Sequence, residues 1–297
     1  MRIGTRGSAL ALIQAQWVAG RLREAGVEAE LVTVVTAGDR AEGLDDKSRW
    51  VSELERALES AELDLAVHSA KDVPGELAGG LELVAICNRE DPRDAICGAG
   101  SLAGLAFGAR VGTSSLRRAA QLRAVRADLE VVELRGNVDT RLRKLAAGEV
   151  DALVLALAGL RRLDREGEVG GVLTELLPAA GQGALAIEGR PGVLGADALA
   201  ALSDPVSTAC VTAERALTSA LGASCQTAVG AHARLLDGGQ LELRGWVGLP
   251  DGSQWIADRL SGARDDPSAL GVALAQRMLS VGARELLAAG SPRSVAR

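Results

Sequence analysis

At 297 residues and 30.5 kDa the chain has room for two domains of ordinary size or three small ones. Its 47% hydrophobic and 24% charged residues fall in the range of folded globular chains, which excludes the disordered, collagenous and fibrous classes. A formal net charge of -6 argues against a general nucleic-acid binder, and the longest apolar stretch, 152–160, is far short of the ~20 residues that cross a bilayer.

Residues 2–5 read as a short strand. Ser8 then caps a helix whose Leu10, Ile13, Trp17, Val18 and Leu22 recur at helical spacing, and Gly26 closes it. Gln14 and Gln16 interrupt the apolar run before it becomes a signal-peptide core, so a cytoplasmic location is expected. A second strand is expected at 28–35, a helix at 51–61 with Leu54 and Leu58 inward, and a third strand at 64–67 ending at His68-Ser69. The repeated strand, helix, strand order implies a parallel sheet. The rhythm restarts after Asp91-Pro92 with strand 109–112, helix 115–126, strand 130–134, helix 138–147 and strand 152–156. A breaker-rich loop at 177–183 leads into a strand at 184–188 that could join either sheet.

The last third changes character. A helix at 206–221 precedes strands near 227–235, 240–247 and 253–260, joined by Asp237-Gly238-Gly239 and Pro250-Asp251-Gly252. A final helix is expected at 267–287. Together these make a small α+β domain with a three-stranded antiparallel sheet.

The cysteines at 87, 97, 210 and 225 form no Cys-x-x-Cys pair, and His68 and His232 are too few for most transition-metal sites. Reduced thiols and no metal are expected. Polar chemistry collects instead at strand ends. His68-Ser69-Ala70-Lys71-Asp72-Val73-Pro74 follows a strand directly and packs a hydroxyl, an ammonium and a carboxylate together, at the edge where open α/β sheets bind ligands. The plain alternative is a polar turn that Pro74 ends.

Gly112-Thr113-Ser114-Ser115-Leu116-Arg117-Arg118 joins a strand to a helix start, where free N–H groups and guanidinium forks suit an anion; an ordinary Ser cap with solvated arginines reads equally well. Arg135-Gly136-Asn137, with Arg141 a turn later, and Arg6-Gly7-Ser8 repeat the arrangement. If the two α/β units face one another, these ends line a positive cleft for a polyanionic small molecule. Cys225 lies in a Gly222-Ala223-Ser224-Cys225-Gln226 junction and is either an accessible thiol or a small buried hydrophobe.

Taken together, these segments resemble the porphobilinogen deaminase family. The match runs through residues 2–8, 68–74, Arg89-Glu90-Asp91-Pro92-Arg93-Asp94, 111–118, Leu134-Arg135-Gly136-Asn137, Thr140-Arg141-Leu142, Gly181-Gln182-Gly183-Ala184 and Thr212-Ala213-Glu214-Arg215. The resemblance implies two α/β domains like type II periplasmic binding proteins, at 1–86 with 184–203 and at 87–183. It adds a small C-terminal α+β domain at 204–297 that presents a cysteine.

The implied activity is a transferase that joins four porphobilinogen molecules head to tail, with loss of ammonia, into hydroxymethylbilane. A dipyrromethane held by a thioether to Cys225 serves as primer. The resemblance makes Asp72 the carboxylate that steadies each transient cation. It assigns Ser69, Lys71, Thr113, Ser115, Arg117, Arg118 and Gly136 to the dipyrromethane. Arg6, Ser8, Gln14, Arg135, Arg141, Arg162 and Gln182 go to incoming substrate.

Two segments depart from the family pattern. Its Gly-Lys-Gly-Leu-Phe lid is here Asp46-Lys47-Ser48-Arg49-Trp50, and its Gly-Gly-Cys-Gln-Val-Pro is here Ala223-Ser224-Cys225-Gln226-Thr227-Ala228. The expected protein is a monomer with no nucleic-acid or membrane partner. A non-catalytic two-lobed binder of small dicarboxylates is the alternative reading.

Overall fold

The structure, a computed structural model, describes residues 1–34, 48–223 and 227–290. The chain divides into two units, Met1–Glu90 with Gly181–Val211, and Asp91–Ala180 with Thr212–Arg297. In chain order the first unit opens with β1 (Arg2–Thr5), α1 (Ala9–Glu24), β2 (Glu30–Thr33), α2 (Ser48–Glu59), β3 (Leu65–Ser69) and β4 (Glu82–Ile86). The second unit continues with β5 (Asp94–Cys97), β6 (Arg110–Gly112), α3 (Leu116–Val125), β7 (Glu130–Val132), α4 (Val138–Ala146), β8 (Ala152–Ala156), α5 (Leu157–Arg162) and β9 (Gly171–Leu173). The chain then returns to the first unit as β10 (Leu185–Gly189) and α6 (Ala196–Leu202). It leaves through α7 (Pro205–Ala220) for β11 (Val229–Leu235), β12 (Leu241–Gly248), β13 (Trp255–Gly262), α8 (Pro267–Ser280) and α9 (Ala283–Gly290).

The first unit is a five-stranded sheet in the order β2-β1-β3-β10-β4. β1 runs parallel to β2 and β3, while β10 lies antiparallel between β3 and β4. Period-two alternation sorts the side chains of the central strands onto two covered faces. Ile3, Leu65, Val67, Leu185 and Ile187 meet Ala15, Val18, Ala19 and Leu22 of α1 on one face. On the other, Ala66 meets Leu54 and Leu58 of α2.

The second unit holds a sheet in the order β7-β6-β8-β5-β9, with β5 antiparallel to both neighbours. A separate antiparallel sheet, β11-β12-β13, packs on α3 of the same unit through Ala228 and Trp246 against Ala120. Gly252, at φ +73 in the turn between β12 and β13, sits so close to α3 that an added Cβ would lie 2.6 Å from the Ala124 nitrogen.

The expected class, two α/β domains and a small α+β domain with a three-stranded sheet, is the one observed. The expectation of purely parallel sheets is corrected, because β5, β9 and β10 pair antiparallel. β4, β5 and β9 were absent from the sequence reading; they are three to five residues long and bracketed by turns, too short for a periodicity to register. The terminal helix is two helices, since Gly282 at φ +105 ends α8 near Ser280. Within the lid segment, Asp46 and Lys47 lie outside the described residues, and residues 48–50 form the first turn of α2.

Candidate active site

In the first unit a pocket opens at the C-terminal ends of the parallel strands β1 and β3, lined by Arg6, Ser8, Leu10, Ala11, Gln14, Val51, Val67, His68, Ser69 and Asp72. Each element brings its side chain there for a local reason. Arg6 leaves the end of β1, and Ser8 caps α1, its Oγ accepting from the Ala11 N–H at 3.3 Å. Gln14 faces inward from the next turn and donates from Nε2 to Ser69 Oγ at 3.0 Å. Past β3 the chain makes a short 3-10 turn, Ala70–Asp72, which carries Lys71 and Asp72, both half-buried.

That turn is held from behind by residues 181–184. The Ala70 N–H donates to the Ala184 carbonyl at 3.0 Å. Gly181, at φ +72, lies so close that an added Cβ would stand 2.9 Å from the Ala70 carbonyl carbon and 3.1 Å from the Lys71 nitrogen. Gln182 is buried, and its carbonyl accepts from Arg89 Nε at 2.8 Å. Gly181 and Ala184 therefore brace the turn through their backbone.

In the second unit the residues assigned to the primer gather around the start of α3. Thr113 is buried, with its Oγ1 accepting from the Ser115 N–H at 3.2 Å, and Ser115 caps the helix. Arg117 and Arg118 are buried on either side of one carboxylate. Asp94, 0% exposed, accepts from Arg117 Nη2 at 2.9 Å and from Arg118 Nε and Nη2 at 3.1 and 2.8 Å. Carbonyl oxygens take further N–H groups, that of Leu177 from Arg117 and that of Val154 from Arg118. Burial lowers the pKa of the Arg117 guanidinium, and the charge of Asp94 opposes that shift.

Arg141, one turn into α4, donates to the Gly136 carbonyl at 2.8 Å and to Ser114 Oγ at 2.9 Å. Gly136 is exposed at φ +118 just before the Asn137 cap. Arg135 is exposed and pairs with Glu133 at 2.6 Å. Arg162, half-buried, ends α5. Cys225 lies outside the described residues. Ala228, three residues further on, packs against Ala120 of the helix that carries Arg117 and Arg118.

The other thiols, Cys87, Cys97 and Cys210, are buried, and burial pushes that of Cys97 up to about 11. His232 stands 3.5 Å from Glu214 in the structure. That carboxylate also accepts from the Ala233 N–H at 2.7 Å, fastening α7 to β11.

Three further residues contribute. Asp94, Ser114 and Glu188 each act through a contact that only the fold creates. For Asp94 a signal existed, since a carboxylate opening the apolar strand Asp94-Ala95-Ile96-Cys97 must find a cation inside the protein.

No helix among the described residues is long and apolar enough to cross a membrane. Residues 1–193 match the model of the porphobilinogen deaminase, dipyromethane cofactor binding domain, and residues 208–280 that of the porphobilinogen deaminase C-terminal domain. A porphobilinogen deaminase of Thiobacillus denitrificans is 49% identical over 299 residues, 97% of each chain. One of Thermus thermophilus is 46% identical, over 96% of this chain and 97% of its own. Among solved structures, the periplasmic VFT2 domain of Bordetella pertussis BvgS has a TM-score of 0.41 and 17% identity, covering 68% of this chain and 84% of that one. The chain belongs to the porphobilinogen deaminase family, transferases that use a dipyrromethane cofactor to polymerise porphobilinogen into hydroxymethylbilane.

Proposed function

We propose that this chain performs the family reaction with Asp72 as the carboxylate that steadies the cation formed when substrate loses ammonia, and with Cys225 as the thioether anchor of the cofactor. The observation that carries the reading is the pocket of the first unit, where Asp72 shares one concavity with Arg6, Ser8, Gln14 and Ser69. A guanidinium and hydroxyls suit the substrate's acetate and propionate groups. A carboxylate suits its positive reaction centre.

The donor set around α3 fits an oligopyrrole with carboxylate arms. Two buried guanidiniums share one carboxylate there, at a capped helix start whose dipole favours negative charge. Thr113, Ser115, Arg117, Arg118 and Gly136, with Ser69 and Lys71, would hold the dipyrromethane. Arg135, Arg141, Arg162 and Gln182 would serve incoming substrate. When bound, the cofactor supplies the pyrrole carbon to which the first substrate unit is joined.

The reading divides the chain into domains at 1–86 with 184–203, 87–183 and 204–297. It makes the protein a cytoplasmic monomer acting on a small molecule, without nucleic-acid or membrane partners. The net charge of -6, a single Phe and no Tyr support that, since few residues remain to stack on bases. Family membership leaves no place for the alternative of a non-catalytic dicarboxylate binder.

Intact-mass measurement tests the assignment. The purified protein is expected to carry an addition of dipyrromethane size that is lost in Cys225→Ser and largely lost in Arg118→Leu. An unchanged addition on the serine variant overturns the anchor.

A further inference from the structure

Behind the pocket lies an ionisable pair that the reaction as described does not use. His68, 8% exposed on β3, lines the pocket, and its Nε2 is 2.8 Å from Oε2 of Glu188 on β10. Glu188 is 0% exposed, and its Oε1 has no hydrogen-bond partner. The antiparallel register sets Ala186 opposite His68 and Glu188 opposite Ala66, so both side chains project to the face covered by α2.

Charged groups face the pair: Glu55 of α2, with Glu59 beside it, acts on both Glu188 and His68, and Arg6 and Asp72 line the same pocket as His68, with Lys71 next to Asp72 in the chain. The Glu55 carboxyl is pushed up by burial. The charge of Glu188 adds to that and the charge of His68 opposes it.

A fully buried carboxylate with one idle oxygen is costly unless its other oxygen holds a strong donor. Here that donor is the imidazole N–H. Holding the proton on Nε2 fixes the tautomer and leaves the Nδ1 lone pair as a base, as a carboxylate does for any catalytic imidazole. Among the described residues Nδ1 makes no hydrogen bond.

Each condensation makes one C–C bond and releases one ammonia. The C–N bond breaks with its electron pair leaving on nitrogen. A ring carbon supplies the pair for the new C–C bond, and its C–H bond then breaks, that pair restoring the aromatic ring. One proton is left to be accepted. A carboxylate placed to steady a cation is a weak base at neutral pH, whereas an imidazole is matched to it.

We propose that His68, held by Glu188, is the proton acceptor of the pocket in each condensation, passing the proton on to the released ammonia as ammonium. The proposal rests on the reading of this pocket as the substrate site. Glu188 is a positioning residue that acts through the imidazole.

His232→Asn leaves His68 as the only histidine, so one imidazole can be titrated by nitrogen NMR in the cofactor-loaded enzyme. The expected result is that its midpoint coincides with the acid limb of kcat/KM for porphobilinogen. In Glu188→Gln the midpoint and the limb should still coincide, wherever the substitution leaves them. His68→Asn is expected to lose about a hundredfold in kcat, with KM and the intact mass of the loaded enzyme little changed.

A limb that stays put while the NMR midpoint moves overturns the proposal even if His68→Asn misfolds. Normal turnover in His68→Asn alongside a dead Asp72→Asn refutes it while sparing the pocket. Normal turnover in Asp72→Asn refutes the pocket reading itself.

Discussion

Replacing Asp94 with Asn keeps the side chain's shape and removes the carboxylate charge that two buried guanidiniums share. The carboxylate accepts from Arg117 and twice from Arg118, and all three residues are at most 5% exposed. An amide offers one acceptor and turns an NH₂ donor toward the cations. Removing one partner of a buried ion pair costs about 3–5 kcal/mol, because it leaves a buried charge uncompensated by that partner. Each kcal/mol lowers the melting temperature of a unit this large by about 2–4 °C, so the transition of the second unit should fall by about 6–20 °C. Scanning calorimetry checks it, since two units can give separate transitions. Adding Arg118→Met should recover part of the loss, because one fewer cation is stranded. A single variant melting within about 2 °C of the parent, or a double variant whose losses simply add, would refute the account of the cluster.

At the pocket, a unit charge about 4 Å from the developing cation contributes about 4 kcal/mol at an effective dielectric near 20, close to three decades in rate. Asp72→Asn should therefore lose nearly all turnover in a steady-state assay and Asp72→Glu should keep a small residue; near-normal rates in both would remove Asp72 from the chemistry. Alkylation followed by intact mass counts the thiols. Denatured protein should take up three groups rather than four, with Cys225 capped, and four would contradict the thioether. In the native state at pH 8 the three buried thiols should not react: the raised pKa of Cys97, about 11, keeps it protonated until the solution is far more alkaline. Gly181→Ala, which would press a methyl on the Ala70–Asp72 turn from a left-handed backbone, should cost about 1–3 kcal/mol in a denaturant melt and lower kcat; an unchanged kcat would mean that the turn does not depend on this contact.

Much of the site was readable because polar caps follow local rules. Ser8 was marked by its place between a strand and an apolar-periodic run, and Ser115 and Asn137 lie at the same kind of junction; each accepts from the N–H three residues on, at 3.3, 3.4 and 2.9 Å. The arginines clustered at those junctions could be found the same way. Hidden from the sequence was what distance in the chain conceals. Glu188 meets His68 across 120 residues, and nothing local to an apolar strand says which imidazole its one carboxylate will find. The direction of β10 was hidden for a related reason, since direction within a sheet is set by which edge the returning chain reaches.

The order β2-β1-β3-β10-β4 has a consequence for how the chain is made. Among the described strands β4 borders only β10, and about a hundred residues separate the two. At ribosomal speed that interval lasts about 5–20 s. Throughout it β3 carries a bare edge, and β4 waits without a ladder. The strands of the intervening sheet, β5 to β9, all leave the ribosome before β10 does, so that sheet can close before the first sheet is sealed.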